Sequence, residues 1–371
     1  MNSAKRSPAA DLIRIFAFFS VVSVHFFLHS GFYTQPVIGK RMFVMTLMRS
    51  FFIICVPLFL MLSGYLLRKK QPEKSYYKRI GKIIITYLLA SLLCVCYCVV
   101  FLKQDFSIKN TIFSILNYTA APYSWYIEMY LGLFLLIPFL NILYNALPSQ
   151  KCKIGLVLTF VVITALPSVL NIYDFESFPG TSSSAFSKIV PAWWESLYPI
   201  TYYYIGCYLS EYRLNIKKSM NILLIVFWTI FSGAFCYWRS YKAAFVLGAW
   251  CDYPSLFVVI LTLLVFTLII NINYDKFPKL LARFAQKISG LCLGGFLVSW
   301  IFDHKFYPML SEKVPSMTNR LTYFIIIVPV VCIFSLLTSY LLRKIQCLIE
   351  KLFALIHNLV RKLATKTHQA P

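Results

Sequence analysis

Apolar residues along this chain do not alternate with polar ones. They come in long blocks, separated by short stretches where Lys and Arg gather. A block of about 20 apolar residues suits a helix crossing a bilayer, where the backbone must satisfy its own hydrogen bonds. Windowed hydropathy predicts about ten such spans. They cover about 12–30, 43–67, 83–102, 123–144, 154–170, 196–210, 220–238, 255–271, 288–302 and 321–342. Between them lie a basic segment over 68–82, a short polar stretch over 103–110 and a second basic loop over 276–287. The longest polar loop, 171–195, is rich in Ser and Pro.

Orientation follows from where the cations fall. The N-terminus, the loops after the second, fourth, sixth and eighth spans, and the tail hold about two-thirds of the 36 Lys and Arg. The opposite loops take most of the acids: Asp105, Asp174, Glu176, Glu195, Asp252, Asp303 and Glu312. The positive-inside rule then predicts both termini on the cytoplasmic side of an all-α, polytopic bundle in the plasma or inner membrane. No loop is long enough to bury a core of its own. One membrane domain over 1–342 is expected, followed by a tail over 343–371. In that tail Leu348, Leu352, Phe353, Ile356, Leu359 and Leu363 recur at helical spacing beside Lys344, Lys351, Arg361 and Lys362. This predicts an amphipathic helix on the anionic inner leaflet.

Composition agrees with lipid as solvent. Of 371 residues, 59% are hydrophobic and only 13% charged, against roughly 25% charged in soluble domains. The net charge of +23 would suggest nucleic acid in a soluble protein. Its concentration in alternate loops assigns it to topology, and no nucleic-acid partner is expected. The start, 1–10, is polar and no cleavage site follows the first apolar block, so a signal peptide is not expected. The eleven Cys include no CxxC pair and sit mostly inside apolar blocks, as small hydrophobes do.

Ionisable residues inside spans are costly, which makes them functional candidates. The first span carries Asp11, Arg14, His25 and His29 around IFAFFSVVSV. Arg14 and His25 are eleven residues apart, about three helical turns. They therefore share one face, roughly 16 Å apart along the axis. A long, thin donor entering from the cytosol could meet both, and an acyl-coenzyme A has that shape. His25 is a candidate general base for a hydroxyl arriving from the outer side. His25 and His29 also form an i, i+4 pair, but no Cys or carboxylate accompanies them at a zinc spacing, and no metal is expected. Glu128 lies inside the fourth span and needs either Arg14 or a wet cavity. Arg79 and Lys82, three apart at the start of the third span, would suit phosphate at a helix N-terminus. Each also has a plainer reading, as a topology anchor or a packed polar group.

At these residues the chain resembles acyltransferase family 3 of integral membrane proteins. The resemblance is carried in order by DLIRIFAFFSVVSVH, VPLFLMLSGYLL, KRIGKIIITYLL, SWYIEMYLGLFLLIP, YYYIGCYLS and ISGLCLGGFLVSW. It covers about Asp11 to Leu342 and implies a ten-helix domain moving an acyl group, usually acetyl, from cytoplasmic acyl-CoA to an extracytoplasmic glycan. By this likeness His25 is catalytic, Arg14 positions the donor, and Arg79 with Lys82 meets the coenzyme's phosphates. Lys82 stands where the family usually has Arg, and Lys lacks the bidentate fork. Ser299 stands where many members have the His of "GIYLIH". Some members carry a fused extracytoplasmic domain; here a separate partner would have to complete any such hand-over.

The expected function is therefore an O-acyltransferase, by the resemblance an O-acetyltransferase, using acetyl-CoA or another acyl-CoA as donor substrate, with no bound cofactor. The acceptor would be a surface polysaccharide or its lipid-linked precursor. Asp11, Glu128 and Trp125 are candidates for support or acceptor contact, and Trp193 with Trp194 in the long outer loop could stack on sugar or form an interfacial belt. The rival reading is a transporter or flippase for a lipid-linked sugar, although no internal repeat supports it. A membrane scaffold without chemistry is a third.

Overall fold

The computed structural model describes residues 7–105, 107–171 and 188–367, with side chains to residue 352. Its helices, in chain order, are α1 (Pro8–His29), α2 (Gly39–Phe52), α3 (Cys55–Leu67), α4 (Lys74–Tyr77), α5 (Ile80–Phe101), α6 (Ile108–Leu116), α7 (Trp125–Ala146), α8 (Gln150–Thr164), α9 (Pro167–Leu170), α10 (Tyr198–Glu211), α11 (Lys218–Arg239), α12 (Leu256–Ile270), α13 (Lys279–Ser289), α14 (Cys292–Lys313) and α15 (Phe324–Thr367). No β-strand occurs among the described residues beyond two isolated bridges, one joining Pro36 to Ala244 and one joining Val37 to Tyr241.

The fold is an all-α polytopic membrane bundle. Seven segments are long and apolar enough to span a bilayer, or eight when the bent pair α13–α14 counts as one more. Two of the ten expected spans are shorter: α8 has 15 residues and α10 has 14. At 1.5 Å per residue these reach only about 21–23 Å. Pro167 ends the α8 block early, because it has no N–H to donate to the carbonyl four residues back and the chain restarts as α9. Pro57 acts similarly on the second span. It cannot donate to the carbonyl four residues back, and the block divides into α2 and α3 around Ile53 and Ile54.

Two stretches read as loops are helical. The basic loop 276–287 contains α13, and the polar stretch 103–110 runs into α6. Lys151 and Lys153, expected in a loop, begin α8. The ninth span also changes. The helix starts at Cys292, bends by 61° against α13, and continues to Lys313. Asp303 was expected in an outer loop; it lies inside α14, completely buried. The helix extends past the apolar block, and its buried carboxylate faces His25 of α1 and the Tyr123 hydroxyl. α15 continues without a break past Leu342. The tail residues from 353 onward lie outside the described side chains, and 172–187, with Asp174 and Glu176, lies outside the described residues.

α1 is the central helix. It packs against α2, α3, α12, α13, α14 and α15, so its polar groups meet protein on most sides. Ser20 and Ser23 donate back to the carbonyls of Phe16 and Phe19, both at 2.8 Å. The outer helices show the reverse pattern: Phe227, Ile230 and Phe231 on α11 and Ile325, Ile326 and Ile333 on α15 are exposed. Such surfaces suit lipid and not water. On one side of the bundle the ends of α3, α8 and α10 are tied together by charge. Glu211 accepts from Lys153 Nζ at 2.9 and 3.0 Å and from Arg68 Nη1 at 3.4 Å.

α3 and α10 cross with their backbones in contact. A Cβ on Gly64 would fall 1.9 Å from the Tyr203 carbonyl oxygen, and one on Gly206 would fall 1.9 Å from that of Met61. Helices in lipid gain association energy from such close approach at small residues.

Candidate active site

The site is assembled on the C-terminal half of α1. His25 Nδ1 lies 3.2 Å from Asp303 Oδ2, which α14 supplies. The contact is within ion-pair reach but off the hydrogen-bond line, and no other group bonds this nitrogen. Asp303 Oδ2 also accepts the Tyr123 hydroxyl at 2.7 Å. His29 Nε2 lies 2.7 Å from the same hydroxyl. Because the Tyr123 proton goes to Asp303, His29 must donate, which assigns its Nε2–H form. The His25 ring lies against Tyr123 with centroids 3.9 Å apart, and His29 stacks on Tyr307 at 5.6 Å.

Local sequence explains why Tyr123 is there. It sits in the turn that starts α7, held by Ser124, whose hydroxyl donates to the carbonyls of Ala121 at 2.6 Å and of Tyr118. Tyr118 adopts a left-handed φ of 55° to allow that turn. At the end of α1, Gly31 takes φ 85°. Arg320 then secures the exit by donating to the Ser30 carbonyl at 2.6 Å.

The electrostatics are those of a polarised histidine. Asp303 is fully buried, whereas His25 keeps 12% of its side chain accessible. A carboxylate on the Nδ1 side is the arrangement in which that nitrogen can hold a proton and Nε2 can accept one. Asp303 Oδ1 and the Tyr307 hydroxyl are buried without a hydrogen-bond partner among the described residues. These two orphaned polar atoms border the histidines, and incoming hydroxyl groups would satisfy them.

Arg14 lies at the other end of α1. It donates to Asp11 Oδ1 at 3.2 Å and to Ser289 Oγ at 3.3 Å, while Ser289 Oγ donates to Asp11 at 2.6 Å. This small network fixes the guanidinium at the mouth of a cavity of about 290 Å³. Ser63, Tyr126, Tyr130, Ser289, Cys292 and Phe296 are among the residues lining it. His25 does not line that cavity. Between them stands an aromatic layer. Phe296 stacks on Tyr123 at 6.1 Å and meets Tyr126 edge-on at 5.7 Å, and Tyr123 in turn covers His25. Packed aromatic rings thus separate Arg14 from His25, and the open route between them that a long donor would need is not seen among the described residues.

The other predicted residues are placed unevenly. Lys82 joins the region: with Thr86, Gly290, Leu293 and Arg343 it lines a second cavity of about 250 Å³, which shares Gly290 and Leu293 with the Arg14 cavity. Arg79 is exposed at the cap position of α5 and lines neither. Asp11 supports Arg14 directly. Glu128 is exposed on α7 and forms no ion pair with Arg14, whose carboxylate partner is Asp11. Depth alone suggested Glu128, but the helical register turns it outward. Trp125 is part-exposed and stacks on Tyr253 at 5.7 Å. Trp193 and Trp194 are exposed, and among the described residues no ring contact joins them to the histidines.

Sequence reasoning missed Asp303 and Tyr123. Asp303 follows Ser299 by one helical turn on α14, and Ser299 itself is buried and bonds back to the Phe296 carbonyl at 2.9 Å. The polar group that α14 sends to His25 is therefore one turn beyond the position where the resemblance looks for it. The apolar residues continuing past Asp303, Phe306 to Leu310, were the available signal.

No curated protein and no solved structure matches the chain significantly. The model of a family described as an acyltransferase domain matches residues 7–342 of it. With a buried Asp facing a partly accessible His on the C-terminal half of a central helix, and an Arg-lined cavity toward its N-terminal end, the chain belongs to acyltransferase family 3 and is a multi-pass membrane acyltransferase.

Proposed function

We propose that this protein is an O-acyltransferase, with acetyl as its usual acyl group, taking the group from acyl-CoA on the cytoplasmic side. The acceptor is a hydroxyl of a surface polysaccharide or of its lipid-linked precursor. The single observation that carries this reading is the buried Asp303 facing Nδ1 of a partly accessible His25, above the cavity of Arg14.

In the proposed mechanism the coenzyme's phosphates stay among the basic residues near Lys82, with Arg79 at the adjoining helix cap. The pantetheine arm lies along the Arg14 cavity. The rings of Phe296 and Tyr126 part to bring the thioester carbonyl to His25. His25 Nε2 takes the proton of the acceptor hydroxyl as its oxygen bonds to the acyl carbon. The carbon–sulfur bond breaks, and the departing thiolate takes that proton back from the imidazolium. Asp303 stabilises the imidazolium, as a buried carboxylate does in hydrolytic triads. Tyr123 and His29 hold Asp303 in place. On the acceptor side, the accessible face of Trp125, backed by Tyr253 and Tyr198, offers a platform for a sugar ring.

The deciding experiment compares base-labile esters on surface glycans from cells with the wild-type gene, without it, and with His25→Ala that inserts normally. Loss of one ester in both altered strains is expected. Retention of every ester in the His25→Ala strain would remove the catalytic reading and favour transport or scaffolding.

A further inference from the structure

Beside the acyl-transfer machinery, a third cavity opens between α13 and α15. It has about 820 Å³ and is lined by Arg283, Lys287, Arg343 and Lys344, with Leu280, Phe284, Leu291 and Tyr340 among its apolar residues. Its lining contains no acidic residue. None of the four cations forms an ion pair among the described residues. Arg343 donates to the Gly290 carbonyl at 3.3 Å, and Lys344 lies over the Tyr340 ring at 5.2 Å. The nearest acid along α15, Glu350, accepts from Gln346 instead. Four gathered positive charges without counter-charge are costly unless an anion joins them.

The rim gives the anion its class. On α13 the cations recur every four residues, Lys279, Arg283 and Lys287, and so form one stripe. Next to that stripe Leu280, Leu281 and Phe284 are exposed by 78%, 51% and 61%. A short helix with a basic stripe beside bare Leu and Phe lies in the plane of an interface, its apolar side among acyl chains. The loop-charge pattern puts this end of the bundle on the anionic leaflet. Basic clefts between helices at that level hold lipid headgroups.

We infer that the α13–α15 cleft is a binding site for an anionic phospholipid. Its headgroup phosphate sits among Arg283, Lys287, Arg343 and Lys344, and its chains run along Leu280, Phe284 and Tyr340. A nucleotide has the charge for the floor of the cleft but no apolar portion for its rim. The site adjoins the proposed donor region, because Arg343 and Cys347 also line the Lys82 cavity. It does not depend on the acyl-transfer reading.

The test uses the full chain in neutral detergent, with dihexanoyl phosphatidylglycerol, the matching phosphatidylcholine, or coenzyme A as probes, and native mass spectrometry as readout. Lys287→Gln with Lys344→Gln removes two charges that donate no side-chain hydrogen bond to the protein among the described residues, and unchanged thermal melting confirms the fold. Phosphatidylglycerol is expected to bind and phosphatidylcholine not to bind at the same concentration. The double variant should bind phosphatidylglycerol roughly thirtyfold more weakly. A control pair on the neighbouring basic segment, Lys69→Gln with Lys70→Gln, should leave it unchanged. The inference is overturned if the cleft variant binds phosphatidylglycerol normally, if the control weakens it equally, or if the cleft variant loses coenzyme A and keeps the lipid.

Discussion

Asp303 on α14 lies 3.2 Å from His25 on α1, and the same oxygen receives the Tyr123 hydroxyl at 2.7 Å. This relationship ties α1, α14 and the turn before α7 to one histidine. Asp303→Asn keeps the shape and removes the charge that stabilises an imidazolium. Acyl transfer in isolated membranes is expected to fall on the order of 10²–10⁴-fold, with protein level and melting nearly unchanged. A variant that turns over within a factor of two of wild type would detach Asp303 from the chemistry.

Arg14 should act on donor binding more than on the chemical step. Its guanidinium is already oriented by Asp11 and Ser289, so the geometry is ready before the donor arrives. Arg14→Gln is expected to raise KM for acyl-CoA about tenfold or more, with a smaller change in kcat. Arg14→Lys keeps charge without the fork and should recover only part of the loss. Steady-state kinetics with purified protein separates the two parameters; a fall in kcat alone would place Arg14 in the chemistry instead.

Phe296 stands where the Arg14 cavity ends and the histidine layer begins. Removing its ring deepens a cavity of about 290 Å³ toward Tyr123. Phe296→Ala is expected to shift donor preference from acetyl- toward butyryl- or hexanoyl-CoA, by about tenfold in relative kcat/KM. A missing or added methylene in a pocket is worth roughly 1–3 kcal/mol, so such a shift is within reach. An unaltered preference would mean that the acyl group does not pass this ring.

Gly64 and Gly206 give a prediction independent of function. A methyl at either would meet a backbone oxygen at 1.9 Å, and a helix backbone cannot step aside as a side chain can. Either Ala variant should lose about 3 kcal/mol or more, at or above the upper end of overpacking costs, seen as a lower melting temperature in detergent. Gly132→Ala on α7 has open space around the new methyl and should be neutral or slightly stabilising. Equal behaviour of all three variants would show that α3 and α10 do not cross this closely.

Much of this protein was readable from the order of its residues. The apolar blocks alone specify helices in lipid, since hydropathy over a window is a local property and lipid leaves few other backbone solutions. The Arg14–His25 face on α1 follows from helical period, and in the fold Arg14 meets Ser289 of α13 while His25 meets Asp303 of α14. Counting was weaker. Short helices such as α8 and α10, and the interfacial α13, differ from full spans or loops through neighbours and breaks, which a window averages away.

Local residue order therefore settles the solvent, most of the helices and one face of one helix. Each depends only on residues within a few turns of one another. Packing alone decided that Asp303 leaves its expected loop to meet His25, that Glu128 turns away, that two glycines let α3 touch α10, and that α13 and α15 gather four cations in one cleft. A buried charge is tolerable only when a distant partner compensates it, and which distant partner arrives is a property of how helices pack, not of any single stretch of chain.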